Sequence, residues 1–339
     1  MARPRDPAGS TWAKAAAIAT AAGTLMTAVA AVGALYFTNS TLSATNEQLG
    51  LTRRTAQSEQ IKSAAEQLDS DKISVRLSGI YLLQRLAQDS EPDRPALRRL
   101  LEAFVRTEAP SEAPPKASAC GPHSRELPAD IQAALDIIVQ YSALPPPTLE
   151  VDLHTSCLTE AWLPGANLTG AWLDDANLTG AWLSDANLTE AQLIGADLTE
   201  VQLRRADLTE AWLNGANLTG AWLNDANLTE ASLERTNLTE AWLNDANLTR
   251  ATLTSADLTG AELRSADLTG AELGLANLIG AELHDADLTK ARLGDANLTG
   301  AWLYGANLTG AWLNEANLTG IVYDDSTVWP EGFTPPPSA

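Results

Sequence analysis

From Leu153 to Leu318 a leucine stands at every fifth position without exception, 34 in succession. Two residues before each stands Ala, except at Val151, Ser156, Val201 and Thr236. In alternate units the residue before Leu is Asn or Asp and the one after it is usually Thr, giving A-(N/D)-L-T-(G/E). The units between read A-W-L-x-x or a relative. A period of five fits neither a 3.6-residue helix nor an unbroken strand, so each unit is a short extended piece followed by a corner. Ala and Leu, two apart, share the inner side, and the residues flanking Leu point outward. Small Ala beside large Leu fills a narrow tube. A coil of four such faces would use twenty residues, with backbone hydrogen bonds from coil to coil. At ~4.8 Å per stacked strand, residues 151–320 then make about eight and a half coils, a rod of ~40 Å.

Upstream the pattern is helical. Residues 41–70 are polar with sparse apolar positions, as in an exposed helix. Residues 72–88 place Ile73, Leu77 and Ile80 on one side and Val75, Leu82 and Leu86 on the other, which predicts a sandwiched helix. Asp93 is placed to cap the next helix, with Pro95 in its first turn and Leu97, Leu100, Leu101 and Phe104 on one face. A Pro/Ala/Ser-rich linker covers 109–127. A last helix over 129–142 carries Ile131, Leu135, Ile138 and Val139 on one face and ends before Pro145, Pro146 and Pro147.

No charged residue occurs from Ala15 to Phe37, and as a helix this run reaches ~34 Å, the thickness of a bilayer core. It is taken as a retained single-pass membrane anchor, with a cleaved signal peptide as the alternative. Arg3, Arg5 and Lys14 precede it and the next basic residues are Arg53 and Arg54, which places the amino terminus inside and the repeats outside the cytoplasm. Ala19, Gly23 and Thr27 could pack two such helices into a homodimer.

The repeat resembles the pentapeptide repeat family, whose members fold as a right-handed four-sided β-helix with the central Leu and the small residue two before it pointing inward. ALYFTNSTL (34–42), SDKISVRLSGIYLLQRLAQDS (70–90) and LLEAFVR (100–106) are similar to the helical part of membrane-anchored actinobacterial members, and YDDSTVWPEGF (323–333) to the segment that closes the last coil. The resemblance implies an all-β right-handed quadrilateral β-helix preceded by a transmembrane helix and a small all-α region. The expected divisions are a tail at 1–14, the span at 15–37, a helical region at 38–144, repeats at 145–320, and a cap and tail at 321–339. An open end would expose Leu and unpaired strand edges, so Trp329 and Phe333 are assigned as the plug at one end and the 129–142 helix as the cover at the other.

Charge narrows the partners. The chain carries 22 basic and 43 acidic residues, and 151–320 alone carries 7 and 24. Such a surface gains nothing from counterion release, which argues against direct nucleic-acid binding. The two cysteines, Cys120 and Cys157, suit neither a zinc site nor a disulfide framework and are read as unpaired thiols. His123, His154 and His284 show no catalytic or metal spacing, so no enzyme, cofactor or metal is expected. Ten N-L-T sequons follow automatically from the repeat. The Asn and Asp before Leu are read as coil-to-coil hydrogen-bond ladders, and Gly after Thr as a corner residue.

Tryptophan is the informative excess. Residues twenty apart share a face, so Trp162, Trp182, Trp222, Trp242 and Trp302 form one outward row, and Trp172, Trp212 and Trp312 the opposite one. The alternative is a by-product of block duplication. Exposed aromatic rows serve as partner sites or sugar platforms. The expected function is a non-enzymatic, membrane-anchored scaffold for an unidentified protein partner. One alternative is a DNA mimic acting on gyrase or another topoisomerase, as in quinolone-resistance members of the family. Another is a cell-envelope glycan binder using the Trp rows.

Overall fold

The computed structural model describes residues 8–111, 127–142 and 150–339, with side chains in the first helix only at Met26 and from Ala30 onward. The 1–7 part of the tail, most of the 109–127 linker with Cys120 and His123, the three prolines at 145–147, and the side chains of Ala19, Gly23 and Thr27 lie outside the described residues. Two compact units are present, Met1–Lys62 and Ser63–Ala339.

Helix α1 (Ala8–Leu68) contains the expected membrane span. Among the described residues no helix is long and apolar enough to cross a membrane. Between Ala15 and Phe37 the sequence holds more Ala, Gly and Thr than bulky apolar residues, so the run is long but weakly apolar. The single-pass membrane placement of 15–37 is corrected accordingly, and the extracytoplasmic position of the repeats, which depended on it, falls with it.

In the second unit α2 (Ile73–Asp89), α3 (Arg94–Glu108) and α4 (Ala129–Ser142) pack together. Ile80, Leu83, Leu97, Leu101, Ile131, Leu135 and Ile138 are buried among them. α2 also lies against the end of α1, where a Cβ on Gly79 would stand 2.8 Å from the Ala64 carbonyl oxygen; only glycine allows this approach. The sandwich is incomplete, because Ile73 is exposed. Asp93 makes no side-chain cap bond to α3; its carboxylate instead accepts the Ser90 hydroxyl at 2.6 Å.

From Asp152 onward each coil pairs in parallel with the next through single bridge residues twenty apart, as in Trp162 to Trp182 and Asn217 to Asn237. Five residues per unit and twenty per coil make four faces. Leu and Ala fill the interior, most of them at no more than 1% exposure. Every fifth residue turns the corner with positive φ, and Glu, Asp, Arg and Ser do so as well as Gly. Thr236, one exception to the Ala rule, is buried but gives its hydroxyl to the Leu213 carbonyl at 2.7 Å, so the core loses no hydrogen bond.

The first coil exposes a strand edge on all four faces, and each edge is met by the helical segment. The Gln132 side chain of α4 acts as a strand would, donating to the Trp162 carbonyl and accepting the Trp162 N–H, both at 2.9 Å. Ser142 donates to the Asn167 carbonyl at 2.6 Å. Arg98 and Arg106 of α3 donate to the Glu150 and Asp152 carbonyls at 3.0 and 2.8 Å. Ala109 and Ser111 exchange backbone bonds with Cys157 and Thr155, both at 2.6 Å, around an antiparallel bridge from Pro110 to Ser156. Beneath them Glu102 pairs with Arg98 at 2.8 Å, and burial pushes its carboxyl above the ordinary range despite the Arg98 charge. At the other end the period slips by one, Asn307 pairing with Val328. There Thr327 donates to the Leu303 carbonyl at 2.8 Å and Tyr323 to that of Pro336 at 2.8 Å. Trp329 and Phe333 stack on each other at 5.6 Å and are half-buried.

Candidate docking faces

The coil from Ala211 to Glu230 shows all four faces, named here by their residues Trp212, Asn217, Trp222 and Asn227. The Asn217 and Asn227 faces carry Asn or Asp before nearly every Leu, and the structure shows why. In the unit 226–230 four of five backbone N–H groups bond to carbonyls: Ala226 to Leu223, Asn227 to Ala206, Leu228 to Asn247 and Glu230 to Thr249. The fifth, on Thr229, goes to the Asn227 Oδ1 at 3.2 Å, which also accepts the Thr229 hydroxyl at 2.6 Å. The Asn227 Nδ2 donates to Asp207 Oδ1 at 3.1 Å and Thr209 Oγ1 at 2.7 Å on the preceding coil. The side-chain ladder expected from sequence is therefore joined by a bond within each unit, an Asx-type turn that the strict N/D-L-T spacing encodes. Asp267 shows the electrostatic consequence. Burial raises its carboxyl pKa, but bonds from the hydroxyl and N–H of Thr269 and the hydroxyl of Thr249 outweigh this, and it lies below the usual carboxylate value.

The other two faces lack this repeating ladder; their coil-to-coil side-chain bonds are scattered, as from the Ile194 N–H to Asp174 Oδ1 and from Asn244 Nδ2 to Glu262 Oε2, both at 2.9 Å. Trp162, Trp182, Gln202, Trp222, Trp242, Glu262, Glu282 and Trp302 bridge in sequence along the Trp222 face, and Trp172, Trp212 and Trp312 lie on the opposite one. Seven of these eight Trp are between 40% and 61% exposed; Trp222 is half-buried. Two pairs touch: Trp162 and Trp182 at 5.0 Å between ring centroids, and Trp222 and Trp242 at 5.1 Å in a parallel stack. Arg292 lies over Trp312 at 5.5 Å, and His284 is wedged between Trp302 and Tyr304. Ion pairs join neighbouring coils at Arg205–Asp185 and Arg292–Glu272, both at 2.7 Å, and at Arg264–Glu282.

Among the described residues no three His, Cys, Asp or Glu side chains are grouped to hold a metal. His154 contacts Asp152 at 2.5 Å at the first coil. Cys157 is disulfide-bonded, which corrects the expectation of an unpaired thiol. Sequence spacing alone could not show this, since a single bridge depends on tertiary proximity.

Eight overlapping copies of the pentapeptide repeats family match between residues 158 and 320. HetL, a pentapeptide repeat protein involved in heterocyst differentiation regulation in the cyanobacterium Nostoc sp. strain PCC 7120, is 33% identical over 57% of this chain and 97% of its own, with a TM-score of 0.27. The chain belongs to the pentapeptide repeat family. Membership implies that the four-sided coil is a right-handed quadrilateral β-helix, in a family whose proteins are generally structural or interaction modules rather than enzymes. Rfr23 from the cyanobacterium Cyanothece 51142 is 46% identical over 27% of this chain, which spans 63% of the Rfr23 chain, with a TM-score of 0.27. QnrB1, a plasmid-mediated fluoroquinolone resistance protein, is 19% identical over 48% of this chain and 92% of its own, at a TM-score of 0.38, a likeness of fold alone. No curated protein matches the chain.

Proposed function

We propose that this pentapeptide repeat protein is a non-enzymatic interaction scaffold whose Trp222 and Trp212 faces dock a protein partner. The supporting observation is the division of labour among the faces. Asn and Asp side chains are consumed by the coil itself, whereas the Trp rings, fixed on a rigid backbone, are left half-exposed in rows. Rigid aromatic side chains supply contact area at little entropic cost, which suits them to interfaces. In this reading Trp329 and Phe333 close the carboxy-terminal end and take no part in docking. Topoisomerase inhibition by DNA mimicry fits less well, because Gly corners, Trp rows and the arginine ion pairs interrupt the acidic columns.

The test is a photo-crosslinking side chain introduced singly at Gln202, Gln192, Asp197 and Asp207, one on each face, in the cell that makes the chain. Adducts to a protein are expected from positions 202 or 192 and not from 197 or 207. Equal adducts from all four, or none, would overturn the reading.

A further inference from the structure

The Trp222 face has more structure than a row of rings. Gln202 interrupts it, so Trp182 and Trp222 stand two coils apart, ~9.6 Å at ~4.8 Å per coil, with a notch between them. A groove of about 510 Å³ runs here, from the Trp182 ring past Gln202 to Trp222 and Trp242. Its edge is the corner column before the face, which alternates Glu160, Gly180, Glu200, Gly220 and Glu240. The glutamates are exposed and take the left-handed corner at φ between 55° and 57°, a conformation that costs an L-residue ~1 kcal/mol and that Gly180 and Gly220 adopt freely. The Gly positions leave the groove wall low, and the Glu200 stem lies 3.6 Å from where a Gly220 side chain would begin. Arg204 and Arg205 sit beyond the far edge, and Arg205 is held by Asp185.

A cation centred in the notch would lie ~4.8 Å from each flanking ring, within the ~6 Å range of cation–π attraction, with the Glu200 carboxylate beside it. Carboxylates recur along the edge every two coils, again ~9.6 Å. A polyproline II strand advances ~3.1 Å per residue and so brings every third side chain back after ~9.3 Å. Deepening the scaffold reading on which it rests, we infer that the Trp222 groove receives an extended, basic segment of a partner protein with Lys or Arg at every third residue. One cation enters the notch between Trp182 and Trp222, and the others meet Glu160 and Glu240. Charge complementarity chooses the occupant: an acidic or neutral strand would leave the corner carboxylates unpaired, and a single charge cluster would match only one of them.

Fluorescence anisotropy of the full chain with labelled peptides tests this. A peptide of Lys-Pro-Pro repeats is compared with an isomer of the same composition whose lysines are contiguous. The repeat peptide is expected to bind about ten-fold tighter, as one added cation–π and carboxylate contact would give. Trp222→Ala should abolish that preference. Glu200→Gln, at an exposed corner where folding is not at risk, should weaken the repeat peptide about three-fold and lessen its salt dependence. Asp325→Asn, an exposed acid in the carboxy-terminal segment away from both Trp rows, should change nothing. Equal affinity for the two isomers, an equal loss with Asp325→Asn, or binding of a neutral oligosaccharide in place of the peptide would overturn the inference. Crosslinks at position 202 together with equal isomer affinities would leave the scaffold reading standing and remove only this occupant.

Discussion

The Asn227 and Trp222 faces of one coil share the same backbone ladder and the same Leu/Ala interior, yet they spend their outward side chains differently. Asn227 makes four hydrogen bonds, two within its unit and two to the coil before. Trp222 has no oxygen to offer the backbone and stacks instead on Trp242. One pair of faces ties coil to coil in a repeating ladder, and the other presents half-exposed rings, the feature on which the docking proposal rests. The variation along the Trp222 face, from Trp through Gln to Glu, contrasts with the near-uniform Asn and Asp of its neighbours.

If the difference lies wholly outside the core, truncating the core should be blind to it. Leu223→Ala and Leu228→Ala, beneath the two kinds of face, are each expected to cost about 2–5 kcal/mol in chemical denaturation. A clear inequality between them would mean that the interior is not shared equally. On the surface the faces should part. Asn227→Ala removes a network of side-chain bonds and should lower stability by about 2 kcal/mol, while Trp222→Ala, losing one ring stack, should cost about 1 kcal/mol or less.

Asn277 offers the comparison in reverse. It stands in the one N-L-x unit of the 276–280 type where Ile279 replaces Thr, and its Oδ1 is buried without a partner. Ile279→Thr restores the hydroxyl and should stabilise the chain by about 1 kcal/mol, read as a rise in Tm. The smallest effect expected is one of pH. Because the folded pKa of Asp267 is depressed below its ordinary 3.8, its contribution is fully present above that value and is lost as pH falls through the folded pKa. Asp267→Asn should therefore narrow the Tm difference between about pH 5 and about pH 3. An unchanged acid slope would show that its hydrogen bonds do not favour the charged form.

Much of this was open to reading in the chain. Period five separated the inward Leu and Ala from the outward residues, and twenty-residue stacking placed each Trp in its row, because a solenoid converts sequence spacing directly into position. The corner glycines were legible too, though not that Glu200 or Arg205 would take the same left-handed turn, since no residue type forbids it. Hidden were the contacts that join distant segments. Gln132 standing in for a strand beside Trp162 and the Arg98 and Arg106 bonds to the first coil depend on how the helices dock, and the Cys157 disulfide on tertiary proximity, neither of which a periodicity encodes. The membrane anchor was over-read from the absence of charge in 15–37, where apolar bulk also matters. The notch at Gln202 was visible as a break in a row, but its pairing with alternating Glu and Gly corners became meaningful only once the two columns were seen side by side.

The claim that one pair of faces is structural and the other free is tested most directly within the coil from Ala211 to Glu230. Thermal unfolding would be compared for the double variants Asn217→Ala with Asn227→Ala, and Trp212→Ala with Trp222→Ala. The account predicts that the Asn pair lowers Tm by several degrees more than the Trp pair, since each Asn removes four side-chain bonds. A Trp pair as destabilising as the Asn pair would contradict it, showing that the aromatic rows belong to the fold.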